Sequence, residues 1–242
     1  MIKVIVVENY DEVSQKAFEV MKEVLDSKAN PVLGLATGSS PIGLYKNMVE
    51  EHKTSNRSYK DVVTFNLDEY IGLDKDHKES YYTFMKNHLF SHIDIDYNNV
   101  HIPNGSASDM EAEAKAYESE LEKYALDIQV LGIGTNGHIG FNEPGTPFDS
   151  VTHVVALQEA TIKDNARFFD GDTSQVPTKA ISMGIKSIMS AQKILVIAAG
   201  ENKAPAVKGM INGEVSVDLP ASILQTHNDV VVILDKSAAS LL

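Results

Sequence analysis

Short, almost wholly apolar runs alternate along this chain with longer stretches of helical period, and that alternation limits its folding choices most. The runs are residues 2–7 (IKVIVV), 31–36 (PVLGLA), 62–66 (VVTFN), 127–133 (DIQVLGI), 193–200 (KILVIAAG) and 229–235 (DVVVILD). Continuous apolar strands belong to a sheet buried on both faces, which means a parallel sheet with helices above and below. Between the runs, Val13, Ala17, Val20 and Val24 recur at helical spacing. Pro41 marks a helix start with Ser40 as its expected N-cap. Residues 81–90 read as helical, and Ser108 with Glu111 forms a capping box for a helix presenting Ala114, Tyr117, Leu121 and Tyr124 on one face. A further helix is expected from about Asn202. Residues 145–180 are polar and give few signals, and the strand order is not legible. No internal repeat or linker divides the 242 residues. The expectation is a single α/β domain, a mostly parallel, open, Rossmann-like doubly wound sheet.

In such a sheet, ligands bind beyond the carboxyl ends of the strands. Four of those ends carry chemistry. Thr37-Gly38-Ser39-Ser40 precedes a helix, where it is either a plain N-cap turn or an anion cradle of free backbone N–H groups and hydroxyls with a glycine that permits close approach. Lys203 sits in the first turn of another helix, where a cation is disfavoured unless an anion is near. Arg167, one of only two arginines, lies in NARFF and can grip a phosphate with two parallel bonds. Asp68 and Glu69 follow the strand at 62–66. Neighbouring carboxylates in an extended chain point oppositely, so at most one faces the rim, where desolvation suits it to act as a base.

The fourth end is LGIGTNGHIGFNEPG, residues 131–145, with five glycines around His138 and Glu143. A carboxylate acting on one ring nitrogen fixes the tautomer and strengthens the other nitrogen as a base. One histidine without a second or a cysteine nearby is a poor zinc pattern, and a core histidine bonded to backbone is the bland alternative. Gly132, Gly134 and Gly137 match the dinucleotide spacing. They fall at the fourth strand, however, and His and Asn-Glu-Pro follow where a long helix should begin, so that reading is rejected.

Composition narrows the field further. The net charge of −13 and the lack of a basic stripe argue against nucleic acid. Cysteine is absent, which removes disulfides and thiolate chemistry and suits a reducing compartment. No run approaches a membrane span and no signal peptide is visible, so a cytoplasmic protein is expected.

Together, LGLATGSSPIGLY, VTFNLDEYIGL, LGIGTNGHIGFNEPGTPFDS, NARFF, VPTKAISMGI and GENKA closely resemble the glucosamine-6-phosphate deaminase family, in this order across nearly the whole chain. The resemblance implies conversion of glucosamine 6-phosphate and water to fructose 6-phosphate and ammonia, without metal or organic cofactor. It implies Asp68 as the base for enolisation. His138 would open the ring, aided by Glu143 and Asn136. The phosphate would fall to Thr37, Gly38, Ser39, Ser40, Arg167 and Lys203, and residues 157–180 would form a lid. Position 136 is Asn where many relatives carry Asp. The stretch 151–156 lacks the basic residues of allosteric relatives, so a monomer is expected rather than an allosteric hexamer. The alternatives are a 6-phosphogluconolactonase-like hydrolase and a non-catalytic sugar-phosphate sensor on the same fold.

Overall fold

A computed structural model describes residues 2–242. The elements run β1 (Ile2–Val7), α1 (Tyr10–Ser27), β2 (Val32–Leu35), α2 (Ile42–Ser55), β3 (Val63–Asn66), β4 (Asp68–Tyr70), α3 (Tyr81–His88), β5 (Val100–His101), α4 (Met110–Leu121), β6 (Ile128–Leu131), β7 (His153–Ala156), α5 (Glu159–Asn165), β8 (Lys179–Ser182), α6 (Ile185–Met189), β9 (Lys193–Ala198), α7 (Ala204–Asn212) and β10 (Val230–Asp235). Seven strands form one sheet in the order β1-β10-β9-β6-β2-β3-β5, and every pairing in it is parallel. All four residues of β2 and of β6 are buried, and β9 and β10 are buried but for one residue each. Both faces of the central strands are therefore covered.

Local sequence explains the covering helices. Asn9 caps α1 by accepting the Glu12 N–H at 3.0 Å, and Asp11 and Glu12 complement the helix dipole. Val13, Ala17, Val20, Met21, Val24 and Leu25 then form its buried stripe. On α4, Tyr117 packs edge-on against Phe65 of β3 and donates its hydroxyl to the Asn66 carbonyl at 2.6 Å.

Three expectations are corrected. Ser40 does not cap α2: Pro41 holds that position in helical conformation, without a side-chain cap bond. Asp109, not Ser108, caps α4 by accepting the Glu111 and Ala112 N–H groups. Tyr124 lies beyond the end of α4, 37% exposed, with its ring against Phe65 and His101. The chain also enters α7 through a 3-10 turn, Glu201–Lys203.

The polar region that gave few signals contains a second sheet, three-stranded and antiparallel, in the order β4-β8-β7. Asp68 sits opposite Ser182 in its register. The Met183 N–H bonds the Leu67 carbonyl at 2.7 Å, which ties this sheet to the end of β3.

Glu69, turned from Asp68 by the pleat, is 3% exposed. It accepts the N–H groups of Tyr70 and Tyr81 at 2.9 Å and of Tyr82 at 3.0 Å, which anchors the start of α3. In Glu69→Gln one of these amides meets an amide instead of an oxygen. The expected cost is about 2–3 kcal/mol. A thermal melt should show the midpoint falling by roughly 4–12 °C.

Candidate active site

Strand order places the site. From β2 the chain proceeds outward through β3 to β5, and from β6 it proceeds the other way through β9 to β10. The loops after β2 and β6 therefore part from each other, and a crevice opens between them. A cavity of about 450 Å³ lies there. Its lining includes all of Thr37–Ser40, together with Asp68, His138, Arg167 and Lys203. Asn136 and Glu143 stand behind His138 and do not line it.

The loop after β6 needs its glycines for side chains as well as for any ligand. A Cβ on Gly134 would overlap the His138 ring. Gly140 takes a φ of +58°, which favours glycine, and turns the backbone beside the Asp68 carboxylate. The second sheet holds this turn: the Phe141 N–H donates to the Ser182 hydroxyl at 3.1 Å, and the Asn142 amide donates to the Met183 carbonyl at 2.8 Å.

His138 Nδ1 lies 2.7 Å from Asn136 Oδ1, and Asn136 Nδ2 donates to Glu143 Oε2 at 2.7 Å. Glu143 Oε2 is itself 3.6 Å from Nδ1. The carboxylate therefore acts on the ring mainly through an amide. An amide oxygen cannot donate, so Nδ1 carries a proton and Nε2 is the nitrogen left to exchange one. Burial works to raise the Glu143 carboxyl. The attraction of His138 and the bonds from Thr161 and Asn136 outweigh it and hold the group below its ordinary value.

Asp68 has the opposite environment. It is 6% exposed. Burial, reinforced by the neighbouring Glu69 charge, pushes its pKa up to about 8. Three cations line the cavity, and one of them, Lys78, is paired with Glu79 and Asp170. Arg57 is taken up by Glu51 and Asp26, whereas Arg167 stacks its guanidinium 4.7 Å over the Phe168 ring and points to the crevice. Burial lowers the Lys203 ammonium; Asp164 opposes that and Arg167 adds to it. An exposed guanidinium and a half-buried ammonium beside a loop rich in N–H donors make a site for a dianion.

Several lining residues were given no role of their own by the sequence, although all but Tyr81 lie in the expected lid, 157–180. Thr161, Asp164, Asn165, Phe168 and Phe169 roof the cavity from α5 and the 3-10 turn after it, and Tyr81 contributes from α3. The spacing 161, 164, 165, 168 is one helical face, but the turn is too short and polar for periodicity to stand out. The roof rests on a satellite apolar cluster of Tyr70, Phe141, Leu157, Ala166, Phe169, Val176 and Ala180, separate from the main core. Asn165 donates to the Tyr70 hydroxyl at 2.8 Å. Among the described residues, no group of three or more His, Cys, Asp or Glu side chains is placed to hold a metal ion.

The family described as glucosamine-6-phosphate isomerases/6-phosphogluconolactonase matches residues 7–233. Curated glucosamine-6-phosphate deaminases from Thermoanaerobacter sp. (strain X514) and Clostridium novyi (strain NT) are each 52% identical to this chain. The first alignment covers 99% of this chain and 95% of the relative, the second 98% and 99%. The solved structure of a monomeric glucosamine-6-phosphate deaminase is 46% identical, with a TM-score of 0.97, covering 99% of this chain and 100% of that one. The 6-phosphogluconolactonase of Trypanosoma brucei shares the fold at a TM-score of 0.80 and 21% identity, over 100% and 99% of the two chains. This chain belongs to the glucosamine-6-phosphate isomerase/6-phosphogluconolactonase family.

Proposed function

We propose that this chain is a glucosamine-6-phosphate deaminase, releasing ammonia and fructose 6-phosphate from glucosamine 6-phosphate and water. One observation carries the reading: the His138 imidazole, held by Asn136, and the Asp68 carboxyl, raised toward neutrality, line the same cavity as Arg167 and Lys203, neither of which forms an ion pair among the described residues. Thr37–Ser40, Arg167 and Lys203 bind the phosphate. His138, through Nε2, takes the proton of the C1 hydroxyl and returns it to the ring oxygen, which opens the sugar to an aldehyde. The C2 proton is then acidic. Asp68 removes it and delivers it to C1 while a proton of the 2-amine passes to the C1 oxygen, which converts the aldehyde into a C1 alcohol and the 2-amine into a C2 imine. Water adds to the imine carbon, and ammonia departs to leave the ketone. Each proton transfer of this type contributes about 10²–10⁴-fold. Asn136 and Glu143 orient His138 throughout. Residues 157–180 serve as the lid, with the last two already in β8, and the chain acts as a monomer.

Ammonia release from glucosamine 6-phosphate tests the reading directly, and a chain that hydrolyses 6-phosphogluconolactone but yields no ammonia refutes it. Asp68→Asn should abolish exchange of the C2 proton with solvent while substrate still binds. Unchanged exchange, followed by NMR in deuterated water, would remove Asp68 from this role.

Because the base must be ionised and its pKa stands at about 8, kcat/KM should climb with pH toward that value. The same shift has a stability consequence. Between about pH 4 and pH 8 the folded chain keeps a proton that the unfolded chain has lost, so Asp68 costs more stability as pH rises. Asp68→Asn cannot ionise. In melts across this window its stability relative to the parent should rise with pH and level off above about 8.

For Arg167→Ala the expected change is a raised KM, by about tenfold or more, with a smaller change in kcat. The phosphate is held alike in ground and transition states. Steady-state kinetics with an unaltered KM would take Arg167 out of the site.

A further inference from the structure

Glu143 is held from two sides, and one of them is the roof. Its Oε2 accepts Asn136 Nδ2 at 2.7 Å, and its Oε1 accepts the hydroxyl of Thr161 on α5. Thr161 is 3% exposed and Glu143 5%, so no bulk water stands ready to replace a lost donor. The remainder of α5 is seated by Asn165 on the Tyr70 hydroxyl and by Ile162 against the satellite cluster. Both seats lie outside the main core, in a small apolar patch beneath a short helix. If this segment lifts, Glu143 loses a charge-assisted bond at Oε1 while remaining buried. A group able to compensate is His138 Nδ1, 3.6 Å from the other carboxylate oxygen, Oε2. Direct pairing would draw the Nδ1 proton off Asn136 Oδ1 and swing the ring that this 2.7 Å bond holds in place.

We infer that Thr161 is a positioning residue that couples the seating of the roof to the orientation of His138, so that the imidazole is aligned for ring opening only when α5 is down. The inference rests on the deaminase reading above and deepens it. Thr161 moves no proton of the substrate; it completes the bonding of the carboxylate that sets the relay. Open-chain chemistry at C2 and phosphate binding by Arg167 and Lys203 do not pass through it. The device also serves a chemical need. A sugar opened under a raised roof would present its aldehyde to solvent, whereas a relay aligned only by a seated roof opens the ring after water is excluded.

The test compares Thr161→Val, which keeps shape and removes the donor, with Thr161→Ser, which keeps the donor and trims a methyl group. Two quantities are read: kcat and KM for ammonia release from glucosamine 6-phosphate, and the Kd for glucitol 6-phosphate by calorimetry. The second probe is an acyclic phosphate that needs no ring opening. The expected result is a kcat lowered about 10–100-fold in Thr161→Val, with KM and the glucitol 6-phosphate Kd nearly unchanged and with kcat largely restored in Thr161→Ser. A Thr161→Val enzyme with the parent kcat overturns the inference. So does parallel loss of kcat and glucitol 6-phosphate affinity that serine fails to restore, since that pattern marks a residue needed only to hold the roof together. A parent chain that releases no ammonia overturns the deaminase reading itself, and is told apart because it requires no variant.

Discussion

The reversal of strand order between β2 and β6 is the constraint on which the site depends. The four central strands, β9, β6, β2 and β3, lie side by side, and each ends in a chemically loaded segment. Because successive connections leave β2 and β6 in opposite directions, no crossover helix fills the space between their ends. A fully parallel sheet thus has one place on its rim where the backbone itself leaves a crevice. Thr37–Ser40 reaches it from β2 and His138 from β6, with Lys203 arriving beside them from β9 and Asp68 from the segment after β3.

Within that crevice, hydrogen-bond donors decide what a buried carboxylate does. Asp68 and Glu143 are buried to nearly the same degree, at 6% and 5% exposure, yet their acidities move in opposite directions. Glu143 receives Asn136 and Thr161, which reward its charged form. Asp68 stands beside another carboxylate, and Glu69 has taken the nearby backbone amides for itself. The alternation of an extended strand creates this division. Two adjacent acids are sent to opposite sides, one toward the free amides of a helix start and the other toward the cavity. Two residues of the same charge become a structural anchor and a group able to exchange protons near neutral pH.

The role of position 136 follows from the same logic. An amide between His138 and Glu143 passes no charge, but its two ends are polar in opposite senses: the oxygen fixes the imidazole proton on Nδ1, and the nitrogen holds the carboxylate. The motif on residues 131–145 announced a histidine, a carboxylate and a crowd of glycines. It did not show that one glycine is needed because the histidine ring lies upon it, as the Gly134 position requires. Local sequence also misplaced two helix starts. Ser40 and Ser108 have the right side chains, but cap choice depends on where the chain leaves the preceding turn, and Pro41 and Asp109 occupy that point.

By itself the sequence determined the apolar strands, the parallel character of the main sheet, and which side chains have the chemistry for a sugar phosphate. Those properties are written in periodicity and residue type, which neighbours along the chain already reveal. Only the tertiary structure decided the strand order, the antiparallel sheet that sets Asp68 opposite Ser182, and the roof that gives Thr161 to Glu143. Each of these joins short or polar segments across long stretches of chain. Their pairing is selected by burial and hydrogen-bond satisfaction in the assembled fold, and leaves no period in the residues themselves.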